Sequence, residues 1–417
     1  MENMDLKIFA KTCEPEVYSQ VYRLMNLHVF REAKVRIMPD THAGVGCVVG
    51  FTANLGDKAV PNLVGVDIGC GMFVENLGKA DKIDLDALDR FIRENIPSGS
   101  SVNERQGTKV EFPLEELIMY KELRNVPHLQ SSIGSLGGGN HFIELNKNAM
   151  GEIFLVIHTG SRNLGQQVCK HYQKMAIADC NSHTKEIKEE IKAGLEMLEK
   201  EGRKKDASKM ITEIKERYKR IDKVPTDLCY LEGDHLKDYL HDMKICQEFA
   251  SKNREEIARR IIKHLRKNDG LIPSWGFQTI HNYIDFTDNI IRKGAIRCNK
   301  DEMVIIPLNM RDGSIIGIGK GNPDWNNSGP HGAGRLMSRR EAKENISMNE
   351  FRESMQGIFT TSVNKNTIDE SPMAYKDAQE IVEQVQDTIE VKEIIKPIYN
   401  FKASETEEDY KTQNYDE

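Results

Sequence analysis

The chain is most constrained by short glycine-rich turns, each placed beside a continuous apolar run and each carrying a side chain that can bind a metal or a phosphate. Such turns lie at residues 65–72, 134–141, 158–162 and 329–335. Continuous short apolar runs bounded by Gly or Pro predict buried strands. Because these segments are spread over the whole 417-residue sequence, the pattern favours one integrated domain.

The remaining segments predict an α+β fold of mixed β-sheets with surrounding helices. Strands are predicted around residues 35–38, 44–51, 59–66 and 153–157, and strands with glycine-rich loops return over 280–340. Apolar spacing near 3.6 predicts helices over 83–95 and 376–395, and one long helix or a helix pair over 234–266. Residues 184–222 are rich in Lys and Glu, which predicts an exposed helical hairpin, inserted in the domain, that turns near Gly202. The domain would span residues 1–402, followed by a disordered acidic tail at 403–417.

Composition limits the classes of partner. No apolar run approaches the ~18 residues that span a bilayer, and the N-terminal segment lacks the apolar core of a signal peptide. We therefore expect a cytoplasmic protein with no membrane partner, whose eight cysteines are reduced thiols. The net charge of −7 argues mildly against a chain coated with nucleic acid, but residues 403–417 account for −5 of it. The expectation is a local basic surface at a cleft.

Five residues form a candidate metal-binding set. Asp67 and Cys70 stand three residues apart in a glycine-lined turn, and a carboxylate with a thiolate suits a divalent transition metal. His141 and His158 each stand at the junction of a glycine-rich turn and a strand, and His281 begins a third such segment. Any one of these alone is also typical of a tight turn or a satisfied core histidine. Together they suffice for two metals if the thiolate bridges.

A further imidazole precedes a run of small residues. His331 is followed by Gly332, Ala333 and Gly334, which would let a phosphate-bearing group approach and would offer backbone N–H donors, with Arg335 as a phosphate fork. Cations beside a free imidazole indicate phosphoryl or nucleotidyl transfer. The residues leave two mechanisms open, namely His331 as a nucleophile that carries a covalent intermediate and His331 as a general acid in metal-assisted hydrolysis.

The motifs resemble those of the RtcB-type RNA ligases. The resemblance rests, in order, on MPDTHAG, VGVDIGCGM, LGGGNHFIE, HTGSR, HNY, RKGA, HGAGRLMSR and AYKD, between residue 38 and about residue 402. It implies a ligase that joins RNA 3′-phosphate or 2′,3′-cyclic phosphate ends to 5′-hydroxyl ends, in RNA repair or tRNA splicing. It also implies GTP and two Mn²⁺ ions as cofactors, and an archease-like activating partner.

The resemblance assigns roles to individual residues. His331 would become guanylylated and pass GMP to the RNA 3′-phosphate, giving an RNA-3′-pp-G end that the 5′-hydroxyl attacks. Cys70 would bridge two Mn²⁺, with His141 and His158 at one centre and Asp67 and His281 at the other. Arg162, Asp40 and His42 would contact the RNA. The guanylate site would be formed by Asn140, His141, Phe142, Ile143, Glu144, His281, Asn282, Pro307, Leu308, Asn309, Met310, Ser314, His331, Gly332, Ala333, Gly334, Tyr375 and Lys402.

The sequence departs from the family pattern at two places. Leu308-Asn309-Met310-Arg311 stands where the family usually has Gly-Ser-Met-Gly, and Pro330 stands where it usually has Cys or Ser. Neither departure removes a metal ligand or the nucleophile. The alternatives are a dinuclear metal-dependent phosphoesterase acting on RNA ends and a non-catalytic RNA-binding protein, and the complete ligand set with His331 argues against the second.

Overall fold

The computed structural model describes residues 5–44, 46–103, 110–219 and 224–403, which form an α+β fold. The strands are β1 Leu6–Ile8, β2 Val35–His42, β3 Val49–Ala53, β4 Lys58–Ala59, β5 Gly71–Lys79, β6 Phe142–Lys147, β7 Glu152–Thr159, β8 Leu231–Glu232, β9 Trp275–Ile280, β10 Asn282–Ile284, β11 Ile291–Lys293, β12 Ala295–Arg297, β13 Met303–Asn309, β14 Gly313–Gly319, β15 Ser328–Pro330 and β16 Ile389–Lys402. The helices are α1 Pro15–Met25, α2 Leu85–Asn95, α3 Val126–Ser131, α4 Arg162–Ser182, α5 Thr184–Lys200, α6 Ala207–Lys219, α7 Gly233–Asp269, α8 Arg339–Asn345, α9 Met348–Ser354 and α10 Ala378–Gln384.

A seven-stranded sheet in the order β13-β14-β16-β6-β7-β5-β9 carries most of the architecture. Its strands pair antiparallel, and β16 is long enough to pair with β14 through its first half and with β6 through its second. The register places Lys402 opposite Phe142. The sheet curls so that its edge strands β9 and β13 come into contact.

Apolar side chains cover both faces of this sheet. On one face, Ile257, Ile261 and Leu265 of α7 pack with Leu145 and Leu155 in one buried cluster. On the other face, a second cluster fills the inside of the curl with side chains of β5, β6, β7, β13, β14 and β16. Both clusters are close to fully buried. A rigid sheet therefore fixes the ends of β5, β6, β7 and β9, where the site lies.

A second sheet, in the order β1-β2-β3-β11-β10, stands beside the first. The largest apolar cluster lies between this sheet and helices α1, α4 and α7. The ribbons β12–β15 and β4–β8 complete the pairing among the described residues. Since β12 pairs Ala295 with Pro330, the ribbon brings the segment before His331 to the second sheet.

Several sequence predictions of secondary structure are confirmed. The helix predicted over 83–95 is α2, and the region 234–266 is one continuous helix, α7. The predicted charged hairpin is formed by α5 and α6, which turn at Gly202, a residue with φ of +72°, and its last residues, 220–222, lie outside the described part of the chain. The predicted tail lies outside the described residues apart from Ala403. Among the helices that the structure describes, none has the length and apolarity needed to cross a bilayer.

Three local predictions were wrong or incomplete. The predicted helix over 376–395 ends at Gln384, because residues from Ile389 onward pair between two strands. The predicted strand over 59–66 contains only β4, since Pro61 begins a short 3₁₀ helix. Helix α4 was not predicted, although it begins directly after the HTGS segment.

Candidate metal and nucleotide site

The glycine-rich turns meet at one end of the large sheet. Antiparallel pairing sets Gly71 opposite both Thr159 and Ile280, and Phe142 opposite His158. Residues that are far apart in sequence therefore leave β5, β6, β7 and β9 at the same point. The carbonyl of Cys70 accepts the N–H of His281 at 2.9 Å, which joins two of the turns directly.

Two overlapping groups of potential metal ligands share Cys70. The first contains Cys70, His158 and His281, and the second contains Asp67, Cys70 and His141. Cys70 Sγ lies 3.3 Å from His158 Nε2 and 3.4 Å from His141 Nε2. His158 Nε2 lies 3.4 Å from His281 Nε2, and His141 Nε2 lies 3.1 Å from Asp67 Oδ2. All five predicted ligands are thus brought together around one thiol.

This grouping corrects one expectation. The resemblance led us to pair His141 with His158 and Asp67 with His281, and that pairing was wrong. His158 shares its group with His281, and Asp67 shares its group with His141. All five side chains nevertheless lie around Cys70, and their role as metal ligands stays a prediction.

Backbone carbonyls orient two of the imidazoles. His141 Nδ1 donates to the carbonyl of Leu136 at 2.8 Å, and His158 Nδ1 donates to the carbonyl of Asn140 at 3.2 Å. These bonds place the proton on Nδ1 of each neutral ring and leave Nε2 with a lone pair that points at Cys70. This orientation is the one that metal-ligating histidines adopt in proteins.

Burial favours the neutral forms of the ligands. Desolvation, with help from the neighbouring His141, holds the pKa of His158 well below its usual value. Desolvation and the nearby charge of Asp67 raise the pKa of the Cys70 thiol. Burial alone would raise the pKa of Asp67, but its contacts with His141 and Cys70 bring that pKa below the ordinary value. A bound cation would supply the positive charge that a Cys70 thiolate requires.

The site fits a metal ion on two further observations. His141 Nε2 and a carboxylate oxygen of Asp67 are both acceptors, and they face each other at 3.1 Å. Among the described residues, the second oxygen, Asp67 Oδ1, is buried without a hydrogen-bond donor. A Cβ on Gly160 would lie 2.1 Å from that oxygen, so only glycine leaves room for the carboxylate. Acceptors that converge without donors are satisfied by a cation.

His331 stands beside this cluster and is held by Asp40. The ring centroids of His281 and His331 are 4.8 Å apart. Asp40 Oδ2 accepts from His331 Nδ1 at 2.7 Å and from the backbone N–H groups of His331 and Gly332, each at 3.1 Å. His331 Nε2 is therefore left as the unprotonated nitrogen. The sequence placed Asp40 at the RNA, whereas the structure buries it completely against His331.

The other two predicted RNA contacts lie at the edge of the same site. His42 is on the same face of β2 as Asp40, because side chains alternate along a strand. Its Nδ1 donates to the carbonyl of Asp40 at 3.1 Å, and burial lowers the pKa of His42 to about 4. Arg162 is half-buried and donates to Ser135 Oγ at 3.1 Å and to the carbonyl of Gly99 at 2.6 Å. Its charge contributes to the lowered pKa of Asp67.

The segments predicted to form a nucleotide pocket surround His331. Gly332 approaches the carbonyl of Pro307, and Tyr375 pairs with Arg335 as an isolated β-bridge. Lys402 Nζ lies 3.4 Å from the carbonyl of Asn140, as the pairing of β16 with β6 dictates. The predicted residues Asn140, Glu144, His331, Gly332, Ala333, Gly334, Tyr375 and Lys402 thus come from segments that are in direct contact.

Polar groups are buried around this pocket. Glu144 accepts from Asn146 at 3.2 Å and from Asn400 at 2.6 Å. Burial raises the pKa of Glu144 to about 7 against those two hydrogen bonds. Ser314 Oγ is buried and, among the described residues, has no hydrogen-bond partner. A buried acceptor and an unsatisfied hydroxyl are the kind of groups that fix a polar ligand.

Five predicted pocket residues have side chains that pack or hydrogen-bond elsewhere. Ile143, Leu308 and Met310 each lie in a buried apolar cluster. Asn282 donates to the carbonyl of Asp67 at 3.3 Å and accepts from the N–H of Gly294 at 2.9 Å. Leu308, which departs from the family pattern, therefore extends the core. Asn309, also in that departure, donates to Asp312 at 2.8 Å.

Arg335 does not present the phosphate fork that the sequence suggested. Its guanidinium donates to the carbonyls of Asp369 at 2.6 Å and Met337 at 3.1 Å, and to Glu370 at 3.3 Å. Glu370 itself was missed by the sequence analysis. The sequence offered one signal for it, namely its position just before the Ala374-Tyr375-Lys376-Asp377 motif. That position alone does not indicate a chemical role.

The match to known proteins agrees with this geometry. A family model described as tRNA-splicing ligase RtcB matches residues 20–403. The chain belongs to the RtcB family. Membership makes the chain an RNA ligase, and the buried Cys–His cluster gives this RtcB chain a metal-binding site.

Similar proteins span nearly the whole RtcB chain. It is 27% identical to the RNA-splicing ligase RtcB1 of Escherichia coli, over 94% of this chain and 95% of that protein. It is 26% identical to the tRNA-splicing ligase RtcB of Methanococcus maripaludis, over 92% of this chain and 90% of that protein. The similarity therefore includes both sheets and the site between them.

Proposed function

We propose that the chain is a GTP- and Mn²⁺-dependent RNA ligase that joins 3′-phosphate or 2′,3′-cyclic phosphate ends to 5′-hydroxyl ends. The observation that carries this proposal is the position of His331. Its Nδ1 is bound to Asp40 at 2.7 Å, and its ring lies 4.8 Å from that of the predicted ligand His281. An imidazole oriented in this way has a nucleophilic Nε2 beside a metal site.

The first covalent step follows from that orientation. His331 Nε2 attacks the α-phosphorus of GTP, an N–P bond forms, and the P–O bond to pyrophosphate breaks. Asp40 keeps the Nδ1 proton in place and stabilises the positive charge that develops on the ring. The GMP then passes to the RNA 3′-phosphate, and the 5′-hydroxyl displaces it. RNA ends with a cyclic phosphate are first opened by hydrolysis.

The proposed ligands suit Mn²⁺. Nitrogen, oxygen and sulfur donors converge at the site, and Mn²⁺ accepts this mixed set. His158 and His281 would hold one ion, Asp67 and His141 the other, and Cys70 would contact both. Metal ions bound there supply Lewis-acid stabilisation of phosphate charge. The backbone N–H groups of Ala333 and Gly334 would be the protein's own donors to phosphate, since that of Gly332 is bound to Asp40.

The proposed guanine contacts come from the paired strands β6 and β16. Glu144 is a buried carboxylate that can accept from the N1–H and 2-amino group of guanine. Lys402 lies next to Asn140 and offers a positive donor.

A labelled-GTP reaction with Mn²⁺ tests the proposal. We expect a covalent protein–GMP adduct that is absent in His331→Ala. The matched control is His264→Ala, because His264 stacks on Phe91, away from the metal ligands, and this variant should form the adduct normally. If no adduct forms with any divalent metal while RNA ends are still hydrolysed, the chain is a dinuclear phosphoesterase instead.

Three further expectations stay predictions. The first is the nature of the RNA, which is either broken tRNA or another transcript. The second is the cytoplasmic location, and the third is activation by an archease-like partner. Ligation of RNA fragments with defined ends, with and without such a partner, measures the first and the third.

A further inference from the structure

Glu370 is a buried carboxylate that joins four side chains behind the proposed nucleotide pocket. Its Oε2 accepts from Lys402 Nζ at 2.5 Å and from the Tyr375 hydroxyl at 2.7 Å. Its Oε1 lies 3.3 Å from Arg335 and 2.8 Å from Arg339. Only 2% of Glu370 is exposed. Its negative charge is therefore balanced by these contacts and not by water.

The ionised form of Glu370 is strongly favoured. Burial raises the pKa of the carboxyl, but the charges of Lys402, Arg339 and Arg335 outweigh burial and bring the pKa well below its usual value. Breaking one member of such a buried network leaves the others uncompensated. Glu370 is thus a fixed negative charge at neutral pH.

The contact with Lys402 determines what that lysine can offer a ligand. An ammonium group has three N–H donors and no acceptor. Glu370 Oε2 and the carbonyl of Asn140 receive two of these donors. The Lys402 side chain is 6% exposed and lies over the ring of Phe142, so its position has little freedom. One directed donor then remains for a bound nucleobase.

We propose that Glu370 is a positioning residue that sets base selectivity, by holding Lys402 so that it donates to an acceptor at the 6-position of a purine. The inference rests on the proposed function, in which Lys402 lies at the base. A fixed cationic donor binds a 6-oxo group and opposes a 6-amino group, which is also a donor. A site built around a polar contact rejects analogues that cannot form it.

The neighbouring residue provides a matched control. Asp369 is also 2% exposed and also pairs with Arg339, at 2.6 Å. In the described part of the chain its carboxylate is paired with Arg339 and Lys343 but not with Lys402 or Tyr375. Asp369→Asn therefore removes a buried charge from the same network without touching the lysine. A purely structural role for the network predicts the same behaviour for both variants.

The test compares GTP with 6-thio-GTP, which keeps the N1–H and 2-amino groups and changes only the acceptor at position 6. We expect the full chain to prefer GTP in adduct formation with Mn²⁺. In Glu370→Gln, KM for GTP should rise about tenfold or more and the preference should be lost, with kcat little changed, since hydrogen bonds to charged groups have this magnitude. Asp369→Asn should keep the preference. An unchanged preference in Glu370→Gln, or an equal loss in Asp369→Asn, overturns the inference.

A double-mutant cycle adds a second measurement, because Lys402→Met combined with Glu370→Gln removes both charges of the buried pair. Lys402→Met alone should abolish the preference, and adding Glu370→Gln to it should change KM for GTP no further. A preference retained in Lys402→Met, or an additive loss in the double variant, contradicts the inference. If the unaltered chain forms no adduct, the proposed function itself fails. If it forms the adduct and the variants behave alike, only the role of Glu370 is rejected.

Discussion

The buried Asp40 and the partly exposed His331 form a pair in which one carboxylate oxygen receives three N–H groups, from the imidazole and from two successive backbone amides. The pair fixes both the tautomer of the ring and the loop that carries it. Gly334 completes the arrangement, because at its φ of +76° a Cβ would lie 2.6 Å from the carbonyl of Asp40. Strand β2 and the 331–334 loop therefore form one unit.

Replacing Asp40 with Asn should slow adduct formation by roughly 10²–10⁴-fold, the range seen when a carboxylate that orients a catalytic imidazole is neutralised. An amide can present its NH₂ group to Nδ1, which favours the wrong tautomer of His331. The initial rate of protein–GMP formation at saturating GTP measures the effect. Asp369→Asn, a buried carboxylate with no contact to His331, should retain the rate. Equal rates for both variants would show that Asp40 does not orient the ring.

Replacing Cys70 with Ala should remove bound metal as well as activity, because both ligand groups contain this thiol. Each group would retain only two ligands. Metal content per chain, measured by mass spectrometry after dialysis against Mn²⁺, should fall to the background level. Cys298→Ala is the control, since Cys298 is a buried thiol in a separate apolar cluster. Full metal content in Cys70→Ala would show that Cys70 is not a ligand shared by the two groups.

Replacing Gly160 with Ala should weaken metal binding without adding or removing a ligand. The new Cβ would overlap Asp67 Oδ1 at 2.1 Å and push the carboxylate out of place. Displacing a ligand by changing a residue that supports it lowers metal affinity by about 10–100-fold. Titration with Mn²⁺ measures it. In Gly194→Ala the Cβ would meet only the flexible Met210 side chain of the hairpin, so affinity should be unchanged there.

Binding of GTP should weaken as the pH falls below about 7. Burial raises the pKa of Glu144 to about 7, and the protonated carboxyl loses acceptor capacity for guanine. We expect KM for GTP to rise as the pH falls from 8 to 6, and Glu144→Gln to have a high KM with a flat profile over this range. The effect of Glu144 on the free energy of unfolding has the opposite sign. Because the folded chain binds the Glu144 proton more tightly than the unfolded chain does, this contribution is complete below the ordinary pKa of 4.5 and is lost as the pH rises through 7.

The sequence predicts the ligands of this site better than their arrangement. Asp67, Cys70, His141 and His158 stand at glycine-rich junctions with strands, and buried strands bring such junctions together. Which histidine lies beside Asp67 depends on the register of β5, β7 and β9, and register is a property of pairing between distant segments. The wrong grouping has this origin.

The missed elements share the same cause. Residues from Ile389 onward carry apolar side chains that suit either a helix or a strand, and partners on both sides select the strand. Glu370 and Asp40 are single carboxylates whose partners lie 32 and 291 residues away. No local periodicity of the sequence predicts such contacts. By contrast, α2, α7 and the charged hairpin follow from their own spacing and were predicted correctly.

The position of β16 has a consequence for synthesis of the chain. This strand fills the gap between β14 and β6, and its last residue, Lys402, reaches the turn that holds Asn140. Every other strand of the large sheet is encoded before it. While the chain is still growing on the ribosome, the sheet stays divided and the base end of the pocket stays open. The proposed nucleotide site of a nascent chain is therefore incomplete until residues 389–402 have emerged from the ribosome.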